Sequence, residues 1–563
     1  MWILAKIVGL RDKMDVQCLP FLKVRKEILV VRKFAPLGPL RRFTKHRALI
    51  LASCAVLLSL FLTGPRLALA DGDLQRVNHI IIVMQENHSF DNYFGVLAYA
   101  PGSPYHNANG HCLPSDHKCV DGLSCVAGVN GNLTCTNSNL DDDGSTVVAF
   151  HDPTRCVIPD LDHSWFGTHG EVNFLNPNST LTSFLSDGFV RVNDLSAQLD
   201  GGTENATEDQ TMGFYNQDDI PFYYDLAQKF AIDDRYFASL LGPTFPNRSY
   251  LMAATSFGHV TSADTFPPPG GYKPITGTIF DLLNQNGVSW ADYFQDAPQG
   301  ASFLPFSAQS VDPHFLPTFV FLGQAAGNPL FGPLPQVSFV DPNFGFFGLQ
   351  FENDEHPPTD IQRGQAFVAQ IVNAVRNGPN WKDSIILIAY DDHGGFYDHA
   401  KSPKAKQGAA LTPDGIAPGQ CADLSNPPAS EQPGGGAECS SNFLSATDTS
   451  VADAELLCPA LAADPTGPYP LQCANFNQLG PRLPFIAVSP FSKPGYVSHS
   501  IGDHTSLLAL IERRFLTIND VRLHLTNRDQ FANPLEDLFD FNHSPSLSTP
   551  IGQAAPPTVD CTP

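Results

Sequence analysis

The chain has 563 residues, 57 of them Asp or Glu and 33 Lys or Arg, for a formal net charge of −24. Hydrophobic residues make up 42% and charged residues 16%, enough apolar surface to bury a sizeable core and to exclude global disorder. The length suits two to four domains, or one large α/β enzyme with long loops.

The first 70 residues differ from the rest. They hold 13 Lys and Arg against three acids, Asp12, Asp15 and Glu27. An apolar run over 48–62 follows, then Ala68-Leu69-Ala70. A basic region, a short apolar stretch and a small-x-small end predict a signal peptide over 1–70, cleaved after Ala70. The run is too short for a membrane span, although an uncleaved anchor is the plainer alternative. The long basic region leaves Met14 or later as a start, and Arg41-Arg42 suits twin-arginine export. Export places the mature chain outside the cell or in the periplasm.

Cleavage would leave 20 basic residues against 54 acidic ones. Such a surface repels phosphate backbones and anionic membranes, which sets nucleic acid aside as a partner. Ten of the twelve cysteines remain, an even number that predicts up to five disulfides in an exported chain. No Cys-x-x-Cys pairs occur, which argues against a zinc ribbon.

In chain order, residues 77–84 (VNHIIIVM) form a short β-branched apolar run. Residues 105–156 are rich in Gly, Asn, Asp and Cys and read as a disulfide-stapled insertion. Within them, Asn139-x-Asp141-x-Asp143-Gly144 imitates the start of a calcium loop. Its twelfth position is Phe150 rather than Glu, which favours a solvated turn. Residues 361–377 place Phe367, Ile371 and Val375 at four-residue helical spacing. A second apolar run, 384–390 (SIILIAY), precedes a Pro/Ala/Gly-rich insertion over 401–479. A third run covers 483–489, a helix is predicted over 504–516, and a tail over 546–563. Continuous apolar runs alternating with helices predict an α/β fold with a parallel sheet buried on both faces. Such sheets collect catalytic groups beyond the carboxyl ends of their strands.

Three segments carry chemistry. The first run ends in Glu86 and Asn87, two oxygen donors of the kind that hold hard divalent ions. A polar turn capping a helix is the plainer reading of that segment alone. The run SIILIAY ends in Asp391-Asp392-His393-Gly394-Gly395. Adjacent carboxylates at a strand end are costly unless a cation or a proton separates them, and the glycines permit close backbone approach. The third segment, Gly242-Pro243-Thr244, leads into a predicted helix whose N-terminus would favour an alkoxide or phosphate at Thr244. An ordinary N-cap is commoner than a catalytic Thr.

Together HIIIVMQENHSFDNYFG, GPTFPNRSYLMAATS and YDDHGGFYDH resemble the bacterial phosphoesterase family of phospholipases C and related acid phosphatases. LDHSWFGTH, DEHPPTDI, the segment from Met212 and SPFSKPGYVSHSIGDHTSLLALIERRF extend the resemblance over 78–515, outside the Cys-rich insertions. It implies an alkaline-phosphatase-like three-layer α/β/α sandwich and a 71–545 catalytic domain holding one divalent metal. Ca, Mg or Mn is favoured, and oxygen ligands also admit Zn. Glu86, Asn87, Thr244, Asp391 and Asp392 would be the ligands, with Thr244 the nucleophile that becomes a phospho-enzyme. His356 would contact the phosphoryl group, and His163, with His169 as a rival, would protonate the leaving alcohol. Arg248 and His504 lie inside matching motifs without a role beyond capping or packing.

Phospholipase C acting on a phospholipid is the leading expectation, with a broad acid phosphatase for small phosphoesters second. A catalytically inactive binding protein of the same fold is the alternative of another class. Thr244-x-Pro246-x-Arg248 also shares a frame with the sulfatase signature. Sulfatases convert their first residue to an aldehyde, which the β-methyl group of Thr forbids.

Overall fold

The computed structural model describes the chain from Asp73 to Cys561, apart from short stretches and all of 407–475 except Asp414. The expected signal peptide and Cys421, Cys439, Cys458 and Cys473 lie outside the described residues.

An eight-stranded, mostly parallel sheet carries the core. In chain order its strands are β1 (His79–Gln85), β2 (Ala231–Asp233), β3 (Trp290–Phe294), β4 (Phe315–Pro317), β5 (Val337–Val340), β6 (Ser384–Tyr390), β7 (Ile486–Val488) and β8 (Tyr496–Ser498). Their spatial order is β4-β3-β5-β1-β6-β7-β2-β8. β1 and β6 lie at the centre. Ile80, Ile81, Ile82, Val83 and every residue of β6 are buried, as their unbroken apolar runs require of strands covered on both faces. The third apolar run departs from expectation: β7 is short and runs antiparallel to both β6 and β2. An apolar run encodes burial and not direction.

The β1–β6 register positions the chemistry. Gln85 pairs with Tyr390, so the residues after the two strands, Glu86 and Asp391, emerge side by side. The Asp391 N–H donates to the Gln85 carbonyl (3.2 Å).

Helices pack around this sheet. The helix Ile361–Arg376 starts at Asp360, whose carboxylate accepts from the Gln362 N–H. It buries Phe367, Val368, Ile371, Val372 and Val375; each large apolar side chain so buried contributes about 1.5–3 kcal/mol. It touches β6, Pro221–Lys229 and Thr318–Ala325. A separate group joins Thr244–Ala253, Ile279–Gln285, His504–Phe515 and Asn527–Phe531.

The first insertion is a set of two- and three-residue strand pairs with disulfides Cys112–Cys119 and Cys125–Cys135 inside it. A third disulfide joins Cys156 to Cys561, 405 positions away. The calcium-like segment is a turn. Asp141 and Asp143 accept from the hydroxyl and N–H of Ser145, and Gly144 takes φ +85°.

Arg482, fully buried, ties the insertion to the sheet. It donates to Asp398 (2.9 Å), Asp91 (3.1 Å) and the carbonyls of Asp121 and Asp234. Beside it, His399 Nδ1 lies 2.6 Å from Asp91. Burial opposes charge on this ring, but Asp91 and Asp121 overcome it and lift its pKa from 6.5 to about 10. A pKa raised by folding stabilises in full below about pH 6.5 and is lost as pH rises through 10. His399→Gln should therefore flatten the fall in stability between those values. Urea midpoints across the pH series check this, and parallel slopes for both proteins would remove the charged-histidine assignment.

Candidate active site

Glu86 and Asn87 leave β1 through a tight corner. Asn87 takes φ +61°, a left-handed conformation that Asn tolerates better than most residues. Its N–H donates to Asp391 Oδ1 (3.3 Å). Gly394, at φ +59°, backs onto it so closely that a Cβ would stand 2.3 Å from the Asn87 carbonyl oxygen. Gly394 is thus explained by approach of one strand-end loop to the other, while Gly395, at φ +74°, backs onto Leu161 and Asp162. Asp392 accepts the Gly394 N–H (2.8 Å). His504 Nε2 donates to the Asp391 carbonyl (2.7 Å), and its Nδ1 accepts from the Tyr236 hydroxyl. Burial pushes His504 down to about 4, which keeps it neutral as this donor–acceptor pattern requires.

Thr244 is the first residue of the helix Thr244–Ala253, not its N-cap, which is Pro243. Its hydroxyl lies 3.5 Å from Asp392 Oδ2, and the residue is 8% exposed. Asn247 fixes the preceding loop: its Oδ1 accepts from Ser239 and Leu240, and its Nδ2 donates to the Gly242 carbonyl.

Of the buried carboxylates Glu86, Asp391 and Asp392, the first two meet the buried guanidinium of Arg248. Arg248 Nη2 is 2.9 Å from Glu86 and its Nε is 3.0 Å from Asp391, so the link between the two strand ends runs through the guanidinium. Burial lifts both Glu86 and Asp392 to about 7; Asp391 adds to each, and Arg248 partly offsets it at Glu86. Asn87 Oδ1 is buried without a hydrogen-bond partner among the described residues. An orphaned amide oxygen, a hydroxyl and more carboxylates than Arg248 can neutralise make a donor set that fits a hard divalent ion.

The histidines divide. His163 Nε2 lies 3.4 Å from Asn87 Nδ2 and its Nδ1 2.7 Å from the Leu161 carbonyl. Burial disfavours its charge, yet Asp392 and Asp160 lift its pKa to about 10. The His356 ring stands 6.2 Å from it, centroid to centroid. Burial also opposes charge at His356, but Asp160 and Glu86 raise its pKa. His169 lies inside the helix Trp165–Val172, bonded to the Trp165 carbonyl and pushed down to about 4 by burial.

Glu355 has no local signal in the sequence. Its buried carboxylate accepts hydroxyl hydrogen bonds from Tyr93 (2.6 Å), Tyr223 (2.5 Å) and Tyr390 (2.6 Å). Its backbone is left-handed at φ +78°, and its carbonyl meets His88 Nε2 at 3.1 Å. The tyrosine clamp thereby anchors the corner that presents His356. Arg248, expected to do no more than cap or pack, is the counter-ion of the strand ends.

Residues 77–517 match the profile of the Phosphoesterase family. Non-specific phospholipase C1 of Arabidopsis thaliana is 27% identical, over 84% of this chain and 73% of that protein. Phospholipase C B of Mycobacterium tuberculosis is 27% identical, over 85% and 80%. Among solved structures, murine ectonucleotide pyrophosphatase/phosphodiesterase 5 has a TM-score of 0.28 at 9% identity, covering 55% of this chain and 94% of that one, a likeness too slight to argue from. No helix among the described residues is long and apolar enough to cross a membrane.

Proposed function

The chain belongs to the Phosphoesterase family, and from that membership we propose that it is an exported phospholipase C whose nucleophile is Thr244. The observation that carries this reading is the Thr244 hydroxyl facing Asp392 at a helix start. The phospholipase C names of its relatives support the lipid substrate, and three disulfides support export. The mostly parallel sheet with its two groups of helices supports the alkaline-phosphatase-like three-layer sandwich.

A divalent ion held by Glu86, Asn87, Thr244, Asp391 and Asp392 would supply Lewis-acid stabilisation of charge and acidify the Thr244 hydroxyl. Asp392 Oδ2 accepts the hydroxyl proton as Thr244 Oγ1 bonds to phosphorus. The glycerol oxygen leaves in line, and the positively charged His163 protonates it to free diacylglycerol. His356 donates to a phosphoryl oxygen. Water then displaces Thr244 from phosphorus: neutral His163 accepts the water's proton, Asp392 returns its proton to Thr244 Oγ1, and the phosphorylated headgroup is released.

Phosphatidylcholine vesicles and an aryl phosphate, supplied in parallel to the purified protein, test the reading. Diacylglycerol and phosphocholine should appear in equal amounts, stop on chelation and return with added divalent metal. Free phosphate from the aryl ester without diacylglycerol from the vesicles would replace this assignment with a broad acid phosphatase.

A further inference from the structure

Asp160 and His163 lie three residues apart and His356 almost two hundred residues further on, yet their ligand atoms all lie within 4.8 Å of one another. His356 Nε2 and Asp160 Oδ2 are already 3.6 Å apart, close to the edge of about 3.3 Å expected between ligands of a tetrahedral zinc ion. Both rings are oriented alike. His163 Nδ1 faces the Leu161 carbonyl at 2.7 Å, and His356 Nδ1 faces the Pro357 carbonyl at 2.5 Å. A carbonyl accepts only from N–H, so Nδ1 holds the proton in each ring's neutral form and Nε2 keeps its lone pair. That is the outer hydrogen bond that orients metal-bound imidazoles. The Asp160 side chain is 41% exposed and that of His356 28%, so an ion can enter from solvent.

We propose that Asp160, His163 and His356 form a second cation site, distinct from the oxygen-donor set, that takes zinc or a similar nitrogen-seeking transition metal and reversibly inhibits the enzyme. Two imidazoles and one carboxylate with an open fourth position suit zinc and discriminate against calcium and magnesium, which favour all-oxygen ligands. Occupation ties up Nε2 of both histidines, so neither can donate a proton. The inhibition rests on the histidine roles proposed above; the binding does not.

Cobalt(II) is the probe, because a nitrogen-containing site of low coordination number absorbs visible light far more strongly than a six-coordinate oxygen site. Titrated into chelator-stripped protein with magnesium or calcium in excess to fill the oxygen-donor set, cobalt should give an intense band that saturates and that zinc displaces. Asp160→Asn and His356→Gln should each weaken binding at this site by roughly tenfold or more. Asp392→Asn should keep the band while losing hydrolysis. With magnesium or calcium in excess, zinc should inhibit hydrolysis, and Asp160→Asn should need roughly tenfold more zinc for half-inhibition, whatever its own rate. Absence of the band, or an unchanged band in both Asp160→Asn and His356→Gln, overturns the site. A band with the expected variant pattern in a protein that hydrolyses no phosphoester upholds the site and rejects only the proposed function.

Discussion

Thr244→Ala is expected to lower phospholipid hydrolysis by roughly a thousandfold or more, as loss of a nucleophile does in other covalent hydrolases. The substitution removes a single 3.5 Å hydrogen bond to Asp392, and alanine is a good helix former at the start of Thr244–Ala253. Folding stability should therefore change by no more than about 1 kcal/mol. Thermal unfolding and metal content separate a lost nucleophile from a lost fold. Thr244→Ser, which keeps the hydroxyl, should retain much more activity than the alanine variant. Acid-quenched turnover of phosphatidylcholine should leave phosphocholine on Thr244 in the wild-type protein and none in the alanine variant. An alanine variant within tenfold of wild type would remove Thr244 from the chemistry.

Arg248→Ala is expected to be the most damaging single change at the site. Its guanidinium bridges Glu86 and Asp391, all three side chains being buried. Removing one member of a buried ion pair leaves its partners charged and desolvated, at a cost of about 3–5 kcal/mol. The loss should also move Glu86 and Asn87 and thus lower activity. Arg248→Lys should recover only part of the stability, because an ammonium group cannot reproduce the planar fork that reaches both acids. Denaturant midpoints with and without a divalent cation would measure this. Saturating cation should restore part of the lost stability, since it offsets the same surplus of negative charge. A loss below 1 kcal/mol would mean that Arg248 is not the counter-ion of the strand ends.

Legibility in the sequence followed how local each feature is. The strand Ser384–Tyr390 was readable to the residue because every side chain in it is buried, and its abrupt end in Asp391-Asp392 exposed the chemistry. The helix Ile361–Arg376 was readable from four-residue spacing. The direction of Ile486–Val488 was not, because strand direction depends on connection and packing. The site divides in the same way. Glu86, Asn87, Asp391 and Asp392 sit at strand ends, where a polar residue after an apolar run is informative. The Tyr93, Tyr223 and Tyr390 hydroxyls converge on Glu355 from three distant segments, and no periodicity links them. The partnership of Arg248 with Glu86 and that of Asp160 with His356 are likewise long-range, and nothing in either segment alone marks them.

The bond between Cys156 and Cys561 closes residues 156–561 into a covalent ring. The returning tail is held on the body as well, with the Gly552 N–H donating to Asp225 and Arg376 donating to the Thr549 carbonyl. A protease that nicks one peptide bond anywhere inside that ring yields two pieces that still travel as one molecule on a denaturing gel. They part only once a thiol reagent is added.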